Sequence, residues 1–342
     1  MPMSNHPVFT IAEIAQAHDG SLGIAHAYID ALAKRGVDAV KFQMHLAYAE
    51  SSEFEPFRIK FSKQDKSRYD YWERMSFTFE QWKGLKQHCD EQNVEFMVSV
   101  FSNEAVDWCE EIGVKRYKIG SGEINNLLLL EKIAQTKKPV IISSGMSRND
   151  EIETCIEFFK VKNIEVSVLQ CNTAYPTPPE RYGLNVIQEF KTRYKNKIKI
   201  GYSDHSGKVA TGIAAVALGA EILEFHVAFS KEQFGPDTSS SLNMNQVKEL
   251  IEGVKEISKA LNHPVDKSEI DDFKKLRAMF GKSLAINKQL KAGHQISFED
   301  LEAKKPEGYG ISPIKYKTII GKKLKHDKQA WEFLKFEDLL VD

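Results

Sequence analysis

Lysines, histidines, glutamates and serines stand at the ends of short apolar segments, where a buried chain would otherwise carry Val, Ile or Leu. In chain order they are Glu13, Lys41 with Gln43, Ser99, Lys118 with Ser121 and Glu123, Ser143, Thr173 with Tyr175, Ser203 with Asp204 and His205, and His226. His205 and His226 close consecutive apolar runs, so neighbouring strands would carry both imidazoles. Neutral imidazole binds divalent transition metals, and two protein nitrogens leave positions for water and a substrate oxygen, which suits a Lewis acid more than a closed structural site. Lys41 and Lys118, with Ser99, Ser121, Ser143 and Ser203, supply two cations and four hydroxyls, a set suited to a phosphorylated carboxylate. Gly120-Ser121-Gly122 lets the backbone come close to such a ligand. Glu13 and Glu123 are candidates for proton transfer, the former inside a mostly apolar segment where burial raises a carboxyl's pKa. His18, just after the first run, is expected to face the same place. Each residue alone also reads as a loop cap, a surface charge or a hydrogen-bonded core group. Their recurrence at successive segment ends is what points to a site.

The elements that must position them recur with a fixed rhythm. Apolar runs rich in Val and Ile occur at Val8 to Ala15, Ala39 to Gln43, Glu95 to Val100, Arg116 to Gly120, Val140 to Ser144, Glu165 to Gln170, Ile198 to Tyr202 and Glu221 to Val227, each followed by a helical pattern. That is the signature of parallel βα units, and eight of them predict an α/β fold closed as a (β/α)8 TIM barrel, with an open doubly wound sheet as the alternative. In a barrel, the C-terminal strand ends converge on one mouth. After Val247 the chain becomes charged and helical, and Asn262-His263-Pro264 with Lys267 to Lys275 reads as a linker or closing helix. The expected division is a barrel over 1–265, a linker over 266–280 and a small module over 281–342. Within the module, Ile296-Ser297-Phe298-Glu299-Asp300-Leu301 is echoed by Leu334-Lys335-Phe336-Glu337-Asp338-Leu339, which predicts a pseudo-symmetric β module. Glycines at 281, 293, 308, 310 and 321 supply its turns.

Composition removes several function classes. The 342 residues hold Lys+Arg 47 against Asp+Glu 48, a net charge of -1, so no bulk attraction to nucleic acid is built in. Hydrophobic residues at 42% and charged residues at 28% describe an ordinary globular chain. Cys89, Cys109, Cys155 and Cys171 lack CxxC spacing, against a disulfide framework or a thiolate zinc site. Met1 to Pro7 has neither the basic patch nor the apolar run of a leader. Thr211 to Leu223 carries Glu221 and is too short to span a bilayer. A cytoplasmic protein without a membrane or nucleic-acid partner is expected.

Several motifs together resemble those of the sialic acid (N-acetylneuraminate, or more broadly nonulosonic acid) synthases. They are Ile11-Ala12-Glu13 through His18-Asp19-Gly20, Lys41-Phe42-Gln43, Tyr117-Lys118-Ile119-Gly120-Ser121-Gly122-Glu123, Ser144-Gly145-Met146, Tyr175-Pro176-Thr177-Pro178, Gly201-Tyr202-Ser203-Asp204-His205 and Gly235-Pro236-Asp237. The tail, from Leu290-Lys291-Ala292-Gly293 to Lys304-Lys305-Pro306, resembles that family's antifreeze-like (SAF, β-clip) module. The resemblance implies condensation of phosphoenolpyruvate with the open-chain aldehyde of an N-acylamino sugar resembling N-acetylmannosamine, giving a 2-keto-3-deoxy sugar acid and phosphate. It implies a divalent metal, manganese first and magnesium or cobalt as substitutes, on His205 and His226. Lys41, Ser99, Lys118, Ser121, Ser143, Thr173 and Ser203 then hold phosphoenolpyruvate. Gln43, Asp237 and Lys305 face the sugar, and Glu13, Glu123 and Tyr175 handle protons. It further implies a domain-swapped homodimer in which each module covers the partner's barrel mouth. Lys305 stands where many members have Arg, Phe225 where a basic residue is usual, and Ala17 where Asn is usual. A planar guanidinium fork is not reproduced by Lys, so a sugar without an N-acyl group stays open as acceptor. A metal-dependent aldolase or epimerase, and a non-catalytic sugar-acid-binding homologue, are the other readings.

Overall fold

The computed structural model describes residues 8–195 and 197–340, so the leader-free reading of Met1 to Pro7 falls outside it. The chain divides into two compact units between His263 and Pro264.

The first unit is a closed parallel barrel of eight strands, β1 Phe9–Glu13, β2 Ala39–Met44, β3 Glu95–Val100, β4 Tyr117–Ile119, β5 Val140–Ser143, β6 Val166–Cys171, β7 Lys199–Asp204 and β8 Ile222–His226. Each strand pairs with the next, and β8 closes on β1 with Glu13 opposite His226. All eight apolar runs are therefore strands. Three of them extend beyond their expected ends, β2 to Met44, β6 to Cys171 and β7 to Asp204, the last of which brings Ser203 into the barrel wall. Helices between the strands cover the outer face, where Phe42, Phe96 and Trp82 pack at tilted and edge-on angles within the main core. Both faces of each strand are buried, and this is why the strands read as almost unbroken apolar runs.

Successive strand residues point to opposite faces, so positions two apart share the barrel interior. Ile11, Ala39, Met97, Ile141, Leu169 and Ile222 form a small apolar cluster of their own. Gly201 belongs to the same row. A Cβ there would come within 2.4 Å of both Leu169 Cδ2 and the Ile222 carbonyl oxygen, so only glycine fits. This row plugs the barrel. Among the described residues no helix is long and apolar enough to cross a membrane.

The second unit has its own core, built from Leu284, Ile286, Leu290, Ile296, Ile311, Ile319, Leu324, Leu334 and Leu339. Strands β9 Ser283–Ile286 and β10 Leu301–Lys304 pair antiparallel, and isolated bridges such as Ala285 to Phe333 add to them. The sequence echo becomes a structural one. Phe298–Asp300 and Phe336–Asp338 are matching 3-10 turns, each closed by its aspartate accepting a backbone N–H three residues earlier at 2.8 Å. The short helix Lys274–Phe280, within the stretch read as linker, is tied to this unit by Glu307 N donating to Ala278 O at 3.0 Å.

Candidate active site

One step toward the C-terminal end of each strand from the apolar row, the interior changes character. The residues two positions on are Glu13, Lys41, Ser99, Ser143, Cys171, Ser203 and Glu224, and Lys118 of β4 joins them at the same level. Every one of them is at least nine-tenths buried. They line a cavity of about 310 Å³. Gln43, Thr173, His205 and His226, two residues further along, line its upper wall with Ser121, Tyr175 and Asp237 from the loops. A barrel interior normally continues in Val, Ile and Leu, and here a complete ring of polar groups replaces them.

The floor is a network of two ammonium and two carboxyl groups. Lys41 Nζ lies 2.6 Å from Glu13 Oε2 and donates to Ser99 Oγ at 3.1 Å. Lys118 Nζ donates to Ser143 Oγ at 2.5 Å. Glu224 sits between the lysines, 3.9 Å from Lys41 and 3.7 Å from Lys118, and accepts from Ser203 Oγ at 3.0 Å. Burial pushes both carboxyls up, but the outcomes differ. Glu224, facing Lys118 and Lys41 together, is held down to about 2. Glu13 stays above its ordinary value because burial exceeds the pull of Lys41 and the Glu224 charge adds to it. Burial lowers Lys118, whereas Lys41, although burial works against it, is raised by Glu13 and Glu224. Two carboxyls that share Lys41 are thus pushed in opposite directions, one toward holding a proton and the other toward remaining charged.

Across the cavity the rings of His205 and His226 have centroids 5.1 Å apart. His205 Nδ1 faces the Asn172 carbonyl and Cys171 Sγ at 3.9 Å, while Nε2 shares a hydrogen bond with the Tyr175 hydroxyl at 3.2 Å. Burial works against a charge on His205, but Cys171 and the Asn172 carbonyl outweigh it and raise the ring to about 9. His226 is lowered to about 3 by burial, so it is a neutral imidazole with a lone pair to offer. Among the described residues neither of its nitrogens has a hydrogen-bond partner, and no third His, Cys, Asp or Glu completes a metal cluster. The donor set fits a metal held by two imidazoles with water or substrate in the remaining positions. Positive charge at His205 is already favoured by its surroundings, and a bound cation would take the place of the proton.

Some expected residues stand elsewhere. Glu123 lies in the 3-10 turn Ser121–Glu123 outside the cavity lining, and its carboxylate accepts from Asn126 Nδ2 at 2.8 Å, tying it to the start of helix Leu127–Gln135. His18 is turned from the mouth into the core against Phe77, ring centroids 4.8 Å apart. Lys305 belongs to the second unit, with its ammonium 4.9 Å from the centre of the Phe280 ring. Other residues join the cavity without having been singled out. Glu224 and Cys171 were hidden inside apolar strand text, and the alternation of faces two residues before His226 and Thr173 was the available signal. Arg58, from the long segment after β2, stacks on the Tyr175 ring at 4.0 Å and pairs with Asp237 at 2.6 Å. No local signal marked it.

A buried cavity with two lysines and paired imidazoles, at the C-terminal mouth of a barrel followed in the chain by a small β module, can be compared with known families. Residues 28–266 match the NeuB family, and residues 281–340 match the SAF domain. The chain belongs to the NeuB family. It is 33% identical over 318 residues to the N,N′-diacetyllegionaminic acid synthase of Campylobacter jejuni, covering 91% of this chain and 94% of that protein. The human N-acetylneuraminate-9-phosphate synthase is also 33% identical, over 322 residues, with 93% and 89% covered. Among solved structures, the N-acetylneuraminic acid (sialic acid) synthetase of Leptospira borgpetersenii superposes with a TM-score of 0.70 at 30% identity, over 80% of this chain and 95% of that one. This NeuB-family chain thus belongs to an enzyme family whose named relatives are synthases of sialic-acid-type sugars.

Proposed function

We propose that the chain condenses phosphoenolpyruvate with the open-chain aldehyde of an N-acylamino sugar, releasing phosphate and a 2-keto-3-deoxy sugar acid. The observation that carries this reading is the buried floor, where Lys41 and Lys118 stand among Ser99, Ser143 and Ser203 opposite two imidazoles. The lysines act as point charges for the carboxylate and phosphate, and the hydroxyls orient those oxygens. In the reaction, C3 of phosphoenolpyruvate forms a bond to the aldehyde carbon, water adds at C2, and the C2–O bond to phosphate breaks to leave the ketone. Glu13, the carboxyl that burial raises, exchanges the proton of the attacking water, and Tyr175 stands ready at the aldehyde oxygen. Glu224 remains ionised and balances the lysines when the anion leaves. A divalent ion on His205 and His226, manganese by preference with magnesium or cobalt as substitutes, would supply Lewis-acid polarisation of the aldehyde. Arg58, bridging Tyr175 and Asp237, orders the sugar side of the mouth.

Family membership supports two further expectations, a cytoplasmic location and a domain-exchanged homodimer. Light scattering of the purified chain tests the latter. The activity itself is tested by phosphate release from phosphoenolpyruvate with manganese across aldoses with and without N-acyl groups, each repeated with a chelator. Release that requires both an N-acylated sugar and the metal is the expected result. Release driven equally well by aldoses lacking the acyl group would move the acceptor to the alternative class, and silence across the panel from metal-loaded protein would overturn the reading.

A further inference from the structure

Behind Glu13 runs a hydrogen-bonded chain that the floor chemistry does not use. His45, one residue past β2, is buried and lies flat between Trp72 and Phe101, with ring centroids at 3.7 and 4.5 Å and interplanar angles of 16° and 7°. Its Nδ1 faces Glu50 Oε1, and the other Glu50 oxygen is buried with no hydrogen-bond partner. Its Nε2 lies 3.0 Å from Gln16 Nε2 and 3.1 Å from Gln43 Oε1. Gln16 Nε2 donates to Gln43 Oε1 at 2.7 Å, and Gln43 Nε2 donates to Glu13 Oε1 at 2.7 Å.

The proton positions follow from donor and acceptor matching. An ionised Glu13 accepts only, so Gln43 must present its NH2 there and its carbonyl backward. Gln16 must then turn its NH2 to that carbonyl, and the same NH2 meets His45 Nε2. Nδ1 faces the Glu50 carboxylate, which only accepts, so the ring proton belongs there, and Nε2 is left to accept from the Gln16 NH2 at 3.0 Å with the Gln43 carbonyl oxygen beside it at 3.1 Å. Reversing either amide sets lone pair against lone pair on the line from Gln16 through Gln43 to Glu13, so both amide orientations are fixed.

We propose that His45 is a positioning residue for Glu13. Clamped by two aromatic faces and anchored by Glu50, it fixes the Gln16 amide, which fixes Gln43, which delivers a defined N–H to the Glu13 carboxylate. The ring does not touch the floor and acts only through the two glutamines. Its bearing on turnover rests on the condensation proposed above, while the proton arrangement stands independently of it.

The test has two arms. In the first, the full chain labelled with 15N-histidine is examined by NMR without substrates. His45 should show its proton on Nδ1 with Nε2 unprotonated, and in Gln16→Leu, where the donor to Nε2 is gone and the Gln43 carbonyl oxygen, 3.1 Å away in the native chain, is left facing it, Nε2 should acquire a proton. A wild-type ring protonated at Nε2, or no response to Gln16→Leu, overturns the proposal. In the second arm, His45→Phe keeps the stack and loses the relay, and should lower kcat by about tenfold to a hundredfold, as expected for one hydrogen bond to a charged group, with KM for phosphoenolpyruvate unchanged. His45→Gln, whose side-chain carbonyl can accept from Gln16 in place of Nε2, should recover most of that loss. Equal losses in the two variants, or none in His45→Phe, count against the proposal. Should the wild type turn over no acceptor, the condensation reading fails alone and the NMR arm still decides this one.

Discussion

Buried carboxylates occur in both units, and their surroundings differ in kind. Asp300 in the small module accepts at Oδ2 from Ser297 N at 2.8 Å, Ser297 Oγ at 3.0 Å and His294 Nε2 at 2.8 Å, and Oδ1 pairs with Lys288 at 2.7 Å. All of its donors come from within twelve residues of chain, and burial's upward push is overcome, so the group is held well below the usual carboxylate range. Glu224 in the barrel has partners from β2, β4 and β7, and its Oε2 has no hydrogen-bond partner. A saturated carboxylate assembled locally is a structural device. An unsaturated one assembled from distant strands beside a cavity is held ready for something that arrives.

The comparison breaks first at the floor. Lys118→Ala removes one of the two charges facing the cradle and should lower kcat/KM by about a thousandfold, the scale at which a preorganised stabilising group acts, while the cooperative melt survives. A variant that kept near wild-type turnover would remove the floor from the chemistry. His226→Ala should weaken manganese binding by at least about a hundredfold, read by equilibrium dialysis, and abolish metal-dependent phosphate release. Retained activity in metal-free buffer is the outcome that sinks the histidine pair. On the proposed reading, bound phosphoenolpyruvate would bring negative charge beside a carboxyl that burial already raises, so Glu13 should rise further and binding should take up a fraction of a proton. Affinity then falls as pH rises. Calorimetry in buffers of different ionisation enthalpy measures the uptake, and Glu13→Gln should erase it.

In the module the expected effects are on stability. Asp300→Asn removes the charge and replaces one of the two oxygens by an NH2, so either Lys288 or the donors from Ser297 and His294 face a donor, and it should cost about 2–3 kcal/mol in denaturant melts. Because the native carboxyl lies below its ordinary value of 3.8, its contribution is present above that pH and fades as pH falls through the native value. The smallest effect is expected at the repeat's second copy. Asp338 is more exposed and accepts from Lys335 N and Lys328, so Asp338→Asn should cost about 1 kcal/mol. Equal losses at the two aspartates would show that the turns, rather than burial, set the difference.

The rhythm of apolar run and helix determined the barrel, because a strand buried on both faces must be apolar throughout and a parallel neighbour requires a crossover. Polar residues at strand ends such as Lys41, Ser99, Lys118 and His226 were legible for the same reason, since they break that rule where the chain leaves the wall. The echo of Ile296 to Leu301 in Leu334 to Leu339 likewise fixed two matching turns, whose aspartates bond only to nearby backbone and side chains. What closure alone decided was direction and company. Whether Glu224 faces the cavity depends on register around the whole barrel, because a shift of one residue would send it outward. Glu123 reads like Glu13 in a motif, yet a local hydrogen bond to Asn126 holds it outside the cavity, and His18 follows β1 but packs against Phe77. Arg58 reaches Asp237 across 179 positions of chain, and the line from Glu50 through His45, Gln16 and Gln43 to Glu13 joins two segments that only strand pairing brings side by side. Local pattern sets what a segment becomes. Convergence of side chains from separate strands is a property of the closed sheet.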